Sequence, residues 1–564
     1  MATQKKSPPQ QKFSGKLSLV IPCYNEDHRI EKLIAGLKEF HQKVFFDYEL
    51  IIADDGSTDK TIEMIRNDDF IRELSAAGKF KLVQLPSNKG KGAALKAGVE
   101  AATGTHILTL DADMATRPVE ILKWMAANNQ QLPENEIWIA SREHDDSNVT
   151  ENPTRRRTGR IFNLMVRLLT PLRQHDTQCG FKLYPSRIAK ELFRRQKSTG
   201  WAHDVELMYH AHLSEIPVKD LPVTWETQEG SKISPAKDAL PMLLTVIGVS
   251  LRLKWEYFVK TPLVMIRKKE IVNAVKKREA IFRMLFFFSS ILLFFTMTSL
   301  SFQYGITGDD LDQKVYGEKV LNFYLTLGKD TSCLHLKVGN KQNLELYGGL
   351  FNMLPAAASK VFPSVDAYDM RHLFDSIAGF LAILFAGLIA KKLGGWRTGF
   401  LALILLATWP QFFGQSMNNP KDIPFAMAYV FTIYYLLKLV TELPRPSTRT
   451  LVLSAFGIAL AINMRVGGLL LIGMMFAFVI GNYILSKSFR HSYSADKKAT
   501  SRTVKYLIII SVVGYFGGLI FWPYGLMAPL SNPFTALKEM ANFSVGIRVL
   551  FDGKNLISDT IPWN

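Results

Sequence analysis

The sequence predicts an α/β domain with a Rossmann-like, mainly parallel sheet, followed by an all-α polytopic membrane domain. Three observations carry that expectation. Short apolar runs alternate with amphipathic helical patterns over roughly the first 240 residues. Polar clusters stand just after those runs, where ligands gather in such sheets. Long apolar stretches such as "MLFFFSSILLFFTMTSL" and "GFLAILFAGLIA", long enough or nearly so to cross a bilayer, fill the second half. At 564 residues the chain is also too long for one ordinary core.

Composition narrows the partners. The chain carries 68 Lys+Arg against 50 Asp+Glu, a net charge of +18. Such a balance fits nucleic acid, anionic lipid or phosphorylated ligands. The apolar runs tip the choice toward membrane and phosphate, with no nucleic acid expected. Cys23, Cys179 and Cys333 lie far apart, which argues against a disulfide framework or a structural zinc site.

In chain order, 1–15 is polar and Pro/Gln-rich, without the apolar stretch of a signal peptide. It reads as a disordered tail and leaves the first domain in the cytoplasm. "LSLVIP", "YELIIAD", "KLVQL", "HILTLD" and "EIWIAS" read as strands buried on both faces. "DHRIEKLIAGLKEFHQKV", "DKTIEMIRND", "GKGAALKAGVEAA" and "RPVEILKWMAANN" read as the helices between them. A basic helix, "NPTRRRTGRIFNLMVRLLTPLRQ", and a late strand, "IPVKDLPVTW", complete a domain over 16–240. An apolar stretch with basic and aromatic residues at one end occupies 241–280, as a membrane-surface linker would. About seven spans are expected over 281–564, near 282–300, 374–391, 398–413, 424–440, 450–464, 466–484 and 505–523. With the first domain inside, "RKKEIVNAVKKRE", "KKLGGWR" and "KSFRHSYSADKKATSRTVK" all fall on the cytoplasmic side.

The chemistry concentrates in "HILTLDADM". An extended backbone would point Asp111 and Asp113 the same way. Mg²⁺ or Mn²⁺ is the natural neutraliser, since hard cations take carboxylate oxygens and keep positions open for phosphate oxygens. A loop of solvated acids is the plainer alternative for a lone D-x-D. Its neighbours favour the metal. "VIPCYNE" and "ADDGSTD" end the first two strands, and "NKGKGAALKAG" follows the third. Asp54 and Asp55 suit a turn, and equally hydrogen bonds to a nucleobase and ribose. Asn88, Lys89 and Lys91 before a helix suit phosphates.

In combination, "VIPCYNE", "ADDGSTD", "NKGKGAALKAG", "LDADM", "SRE", "DTQCGFKLYP", "WAHDVELMY" and "LPVTWETQEGSKI" make the first domain resemble family 2 glycosyltransferases with a GT-A fold, and most closely dolichyl- and polyprenyl-phosphate β-glucosyltransferases. The resemblance implies that Pro22, Tyr24, Glu26, Asp54 and Asp55 line a nucleotide-sugar pocket, with Asn88, Lys89 and Asp111 at its phosphates. It implies a metal on Asp111 and Asp113, Arg142 on the phosphates, and Arg157 or Arg160 on the acceptor phosphate. Asp204 falls where related enzymes place a catalytic acid/base residue. A lipid monophosphate, with a second pKa of about 6, is already a nucleophile at neutral pH. Asp204 therefore also suits sugar hydroxyls. A phosphatase usually follows its D-x-D with x-Thr or x-Val, whereas Met114 and Ala115 follow here, and the Q-x-x-R-W of processive synthases is absent.

In the second half, "ITGDDLDQKVYGEKVL" and "MNNPKDIPFAMAYVF" resemble GT-C transferases that use lipid-phosphate sugars, protein O-mannosyltransferases among them. By that analogy Asp309 or Asp310 is an outer-face catalytic acid, although Asp-Asp stands where Asp-Glu is common. With fewer spans than that class, a truncated, inactive or anchoring domain is the alternative. The sequence thus reads as an inverting transferase moving a sugar from a nucleotide sugar to a polyprenyl phosphate at the cytoplasmic face. UDP-glucose is the expected donor and GDP-mannose the alternative; a different acceptor, with the membrane part only an anchor, is the third reading.

Overall fold

The computed structural model describes residues 13–150, 153–227, 235–263, 274–336, 344–494, 496, 498–541, 548–551 and 553–557. Two compact units divide the chain, Met1–Tyr257 and Phe258–Asn564.

The first unit is built on strands β1 (Leu17–Cys23), β2 (Tyr48–Asp54), β3 (Phe80–Gln84), β4 (His106–Thr109), β5 (Ile137–Ala140), β6 (Asn148–Thr150), β7 (Lys182–Pro185), β8 (Val218–Leu221) and β9 (Thr224–Glu226). Its helices are α1 (Ile30–Lys43), α2 (Thr61–Asn67), α3 (Asp69–Ala76), α4 (Lys91–Ala101), α5 (Glu120–Ala127), α6 (Pro153–Leu169), α7 (Ser186–Arg195), α8 (His203–Leu213) and α9 (Pro235–Trp255). Seven strands form one sheet in the order β3-β2-β1-β4-β7-β5-β8.

All five strands read from the sequence are present, and the sheet is parallel from β3 through β4. Two features correct the reading. β7 enters antiparallel between β4 and β5, so the sheet is mixed. The late strand divides, because Pro222 cannot donate to a ladder: β8 pairs with β5 in the main sheet, and β9 pairs with β6 in a separate ribbon. β3 is only partly buried, since an edge strand is covered less than a central one.

β1 and β2 are wholly apolar inside the sheet apart from Ser18, Glu49 and Asp54. Glu49 is 1 % exposed and well satisfied: Ser18 Oγ donates at 2.6 Å, Thr103 N at 2.6 Å and Lys81 Nζ at 3.1 Å. α9 turns Val246, Val249 and Leu253 into the core shared with Val166 and Val205, while Leu244, Leu251 and Trp255 face outward. Each fully buried aliphatic side chain is worth about 1.5–3 kcal/mol. Arg252 adds a charged tether, donating to Glu206 Oε1 at 2.5 Å. Residues 1–12 of the expected tail, 228–234 of the "ETQEGSKISP" stretch and 264–273 of the basic linker lie outside the described residues. Phe13 packs edge-on against Phe46 at 5.3 Å and His106 at 5.4 Å.

In the second unit, five helices among the described residues are long and apolar enough to cross a membrane: Lys276–Gln303, Ala367–Ala407, Asp422–Glu442, Val466–Leu485 and Ala499–Leu519. Thr448–Met464 is apolar but shorter. The segment near 374–391 and most of that near 398–413 fall on two helices joined across a kink at Gly395, with φ +84°, the second ending at Ala407. Close packing rests on small residues, as between membrane helices. A Cβ at Gly514 would stand 2.8 Å from Ile458, and one at Gly518 would stand 2.7 Å from Ile462.

Candidate active site

β1 lies between β2 and β4. From β1 the chain proceeds outward through β2 and β3, then crosses back to β4. The loops after β1 and β4 therefore diverge and open a crevice at the carboxyl ends of the strands. "PCYNE" and "DADM" stand on its two sides, with the ends of β2 and β3 beside them.

Asp111 and Asp113 do not sit on extended backbone as the sequence suggested. β4 ends at Thr109, and the pair lies in a turn that closes at Met114 with φ +56°. Asp113 Oδ1 accepts from Ala115 N at 3.0 Å. Burial, and then the neighbouring Asp111, push the Asp113 carboxyl up from its ordinary range. The positive group beside the pair is Lys91, the first residue of α4, whose ammonium is 2.5 Å from Asp111 Oδ1. It also lies 5.1 Å over the Trp201 ring.

A second buried pair adjoins the first. Lys182 donates to Asp204 and, at 2.6 Å, to the Cys179 carbonyl. His203 Nε2 is 3.5 Å from Asp204 Oδ1. Burial pushes the Asp204 carboxyl up, but His203, Lys182 and Lys91 together hold it below the usual carboxylate range. Sequence reasoning missed Lys182, His203 and Gly180. A Cβ at Gly180 would fall 2.5 Å from both carboxylate oxygens of Asp111, so only glycine leaves Asp111 its place. The "CGFK" quartet carried that signal, since its glycine stands two residues before the start of β7.

The other expected residues gather around the same strand ends, several with internal partners. Asp55 accepts from Lys89 N at 2.8 Å and Gly90 N at 2.7 Å, holding the glycine-rich loop beside Asn88. Asp54 accepts from Ser57 N at 3.2 Å. Glu26 pairs with Arg29 at 3.2 Å, following the partly buried Tyr24, and Pro22 lies opposite Ala53 in the sheet. Arg142, just past β5, makes a two-pronged pair with buried Asp176, Nε at 2.6 Å and Nη2 at 3.0 Å. Burial raises the Asp176 carboxyl, and Arg142 more than reverses that. Arg160 pairs with Glu143 at 2.9 Å, while Arg157 is exposed on α6.

Among the described residues no group of three or more His, Cys, Asp or Glu side chains could hold a metal. Two carboxylates are therefore what the crevice offers, with the remaining positions left to phosphate and water oxygens. Mg²⁺ that carries a diphosphate is commonly held by one or two carboxylates in that way.

The second unit separates the two aspartates that the sequence could not. Asp310 is fully buried, accepts from Thr307 N at 2.7 Å and lies 3.5 Å from His372. Asp309 is about half exposed and pairs with Lys421 at 3.2 Å. Beside them Arg465 pairs with Asp422 at 2.6 Å, and Lys421 and Arg465 stand 5.8 and 5.6 Å over the Tyr347 ring. The "MNNPKD" stretch thus brings its lysine to the acidic pair.

Comparison with known proteins matches this division. The profile of glycosyl transferase family 2 covers residues 18–193. The dolichyl-phosphate β-glucosyltransferase of Drosophila melanogaster is 33% identical over 232 residues, 39% of this chain and 70% of that protein. The chain belongs to glycosyl transferase family 2. The human dolichyl-phosphate β-glucosyltransferase is 32% identical over 247 residues, 42% of this glycosyltransferase and 75% of its own length. The profile of dolichyl-phosphate-mannose-protein mannosyltransferase covers residues 360–516, within the helical unit of the glycosyltransferase. Among solved structures, glucosyl-3-phosphoglycerate synthase from Mycobacterium tuberculosis with UDP aligns at 18% identity and a TM-score of 0.30, over 42% of this chain and 80% of that one.

Proposed function

We propose that the first unit transfers glucose from UDP-glucose to a dolichyl- or polyprenyl-phosphate at the cytoplasmic membrane face, with inversion at the sugar carbon. The observation that carries this reading is the cluster of charged side chains past the strand ends. It comprises the Lys91–Asp111, Lys182–Asp204 and Arg142–Asp176 pairs, in a domain similar to dolichyl-phosphate β-glucosyltransferases.

The nucleotide would lie along the ends of β1 and β2, against Pro22, Tyr24, Glu26, Asp54 and Asp55, with its phosphates near Asn88, Lys89 and Arg142. Asp111 and Asp113 would hold Mg²⁺ or Mn²⁺. When bound, such an ion neutralises the diphosphate and stabilises it as a leaving group. An oxygen of the lipid phosphate attacks the anomeric carbon as the bond to UDP breaks. Arg157 or Arg160 would draw that phosphate in, and the outward face of α9 (Leu244, Leu251, Trp255) suits the lipid surface. A phosphate monoester needs no general base at neutral pH. That agrees with an Asp204 held ionised by His203 and Lys182, which suits orienting sugar hydroxyls better than moving a proton.

The decisive experiment supplies membranes containing the chain with polyprenyl phosphate, Mg²⁺ or Mn²⁺, and labelled UDP-glucose or GDP-mannose in parallel. Label entering organic-extractable lipid from UDP-glucose alone supports the reading. Label from GDP-mannose overturns the sugar, and label from neither overturns the acceptor.

A second transferase in the helical unit is favoured by the Asp309–Lys421 pair beside Asp422 and Arg465. Asp309 would be its acid, reached by solvent as buried Asp310 is not, and lipid-linked sugar made by the first unit would be its donor. Accumulation of lipid-linked sugar with no downstream glycosylated product would count against it.

A further inference from the structure

We propose that Lys91 is a built-in cation of the Asp111–Asp113 site and must give up its place when a divalent metal binds. The inference rests on the metal reading given above and concerns how that site is kept when no metal is there. Two closely spaced carboxylates repel unless something positive neutralises them. Here the neutraliser belongs to the chain: the Lys91 ammonium stands 2.5 Å from Asp111 Oδ1 and is largely shielded from solvent.

The position is enforced by the backbone. Gly90, at φ +101°, is the turn from which α4 starts, and a Cβ there would meet the Thr199 carbonyl at 2.6 Å. Asp55 fixes the Lys89 and Gly90 amides, and Gly92 N donates to the Thr199 carbonyl at 2.7 Å. Held on both sides, the loop starts α4 where the Lys91 side chain meets Asp111. Gly180 keeps the space that lets Asp111 meet it.

A divalent ion on Asp111 would sit about 2.1 Å from a carboxylate oxygen. An ammonium at hydrogen-bond distance from the same carboxylate would lie close to that ion, and two cations so close repel. Lys91 and the metal therefore compete. In the same position the ammonium stands 5.1 Å over the Trp201 ring and within electrostatic reach of Asp204, two groups that would still attract it if it swung off Asp111. Lys91 is thus a positioning residue that neutralises Asp111 and raises the metal concentration needed to load the pair.

The test titrates Mn²⁺ into the full chain in detergent micelles without nucleotide, reading free Mn²⁺ by its paramagnetic resonance signal. Lys91→Met is expected to bind Mn²⁺ roughly tenfold more tightly than the wild type, equivalent to ~1.4 kcal/mol. Lys91→Arg, which keeps the charge, is expected to bind like the wild type. Equal or weaker binding by Lys91→Met overturns the inference. Acetic anhydride labelling of the wild type needs no variant: Lys91 should label faster once Mn²⁺ is added, and an unchanged rate overturns the inference as well. Asp111→Asn distinguishes the two layers. If it binds Mn²⁺ as the wild type does, the metal assignment itself falls; if binding needs Asp111 but ignores Lys91, only the competition falls.

Discussion

Gly180→Ala is the perturbation whose outcome the packing around Asp111 specifies most closely. An added Cβ would stand 2.5 Å from both carboxylate oxygens, where ordinary contact begins near 3.4 Å. The carboxylate must retreat by about 1 Å, and a misplacement of that size in a catalytic constellation costs about 100-fold in rate, or ~2.7 kcal/mol of barrier. Stability should hardly change. The clashing group is the end of a side chain that is 37 % exposed and can swing outward, and the φ of Gly180 lies outside the left-handed region. The expected shift is under ~1 kcal/mol, a few degrees at most in melting temperature. Transfer of labelled glucose into lipid gives the rate, and thermal unfolding of the same preparation gives the stability. A variant with near-normal turnover would refute the idea that Asp111 acts from this position. A large fall in melting temperature would show instead that Gly180 is a packing residue.

Further outcomes follow from the same geometry. Asp113→Asn should lower turnover roughly a thousandfold by removing a ligand of the proposed metal, without loss of fold or membrane insertion. A mutant with near-normal rates would sink the metal assignment. Glu49 is lowered from 4.5 to about 2, against the effect of burial, by hydrogen bonds from Ser18, Thr103 and Lys81. A depressed carboxyl stabilises above its unfolded pKa and loses that contribution as pH falls, so up to ~3 kcal/mol should disappear between pH 4.5 and about 2. Denaturant unfolding of Glu49→Gln should lack that part of the pH dependence, and parallel profiles would contradict it. Asp176→Asn takes the carboxylate from Arg142 and should destabilise by ~3 kcal/mol, with weaker donor binding seen as a raised KM for UDP-glucose. In the helical unit, Asp310→Asn should lower the melting temperature because its carboxylate is sealed against Thr307 and His372. Asp309→Asn should leave the fold and lipid labelling intact while removing any downstream product; equal melting losses in both would contradict their different burial.

What the sequence determined by itself is local or periodic. Short apolar runs marked β1 through β5, because a strand covered on both faces must be apolar throughout. Helical periodicity marked α1, α2, α4 and α5, and the longest apolar runs marked the membrane-crossing helices, since each signal lies within one element. The strand-end clusters, from "PCYNE" to "DADM", showed where a site would form because a parallel sheet brings its carboxyl ends together. Tertiary structure decided what depends on contact between distant segments. β7 reverses direction to lie between β4 and β5, a pairing that no local pattern encodes. Lys91 meets Asp111, Lys182 meets Asp204, and Gly180 makes room for Asp111, although these residues come from four separate stretches of chain. Asp309 and Asp310 are adjacent and chemically identical in the sequence. Only the fold exposes one to Lys421 and seals the other against His372, because burial is a property of neighbours and not of residue type.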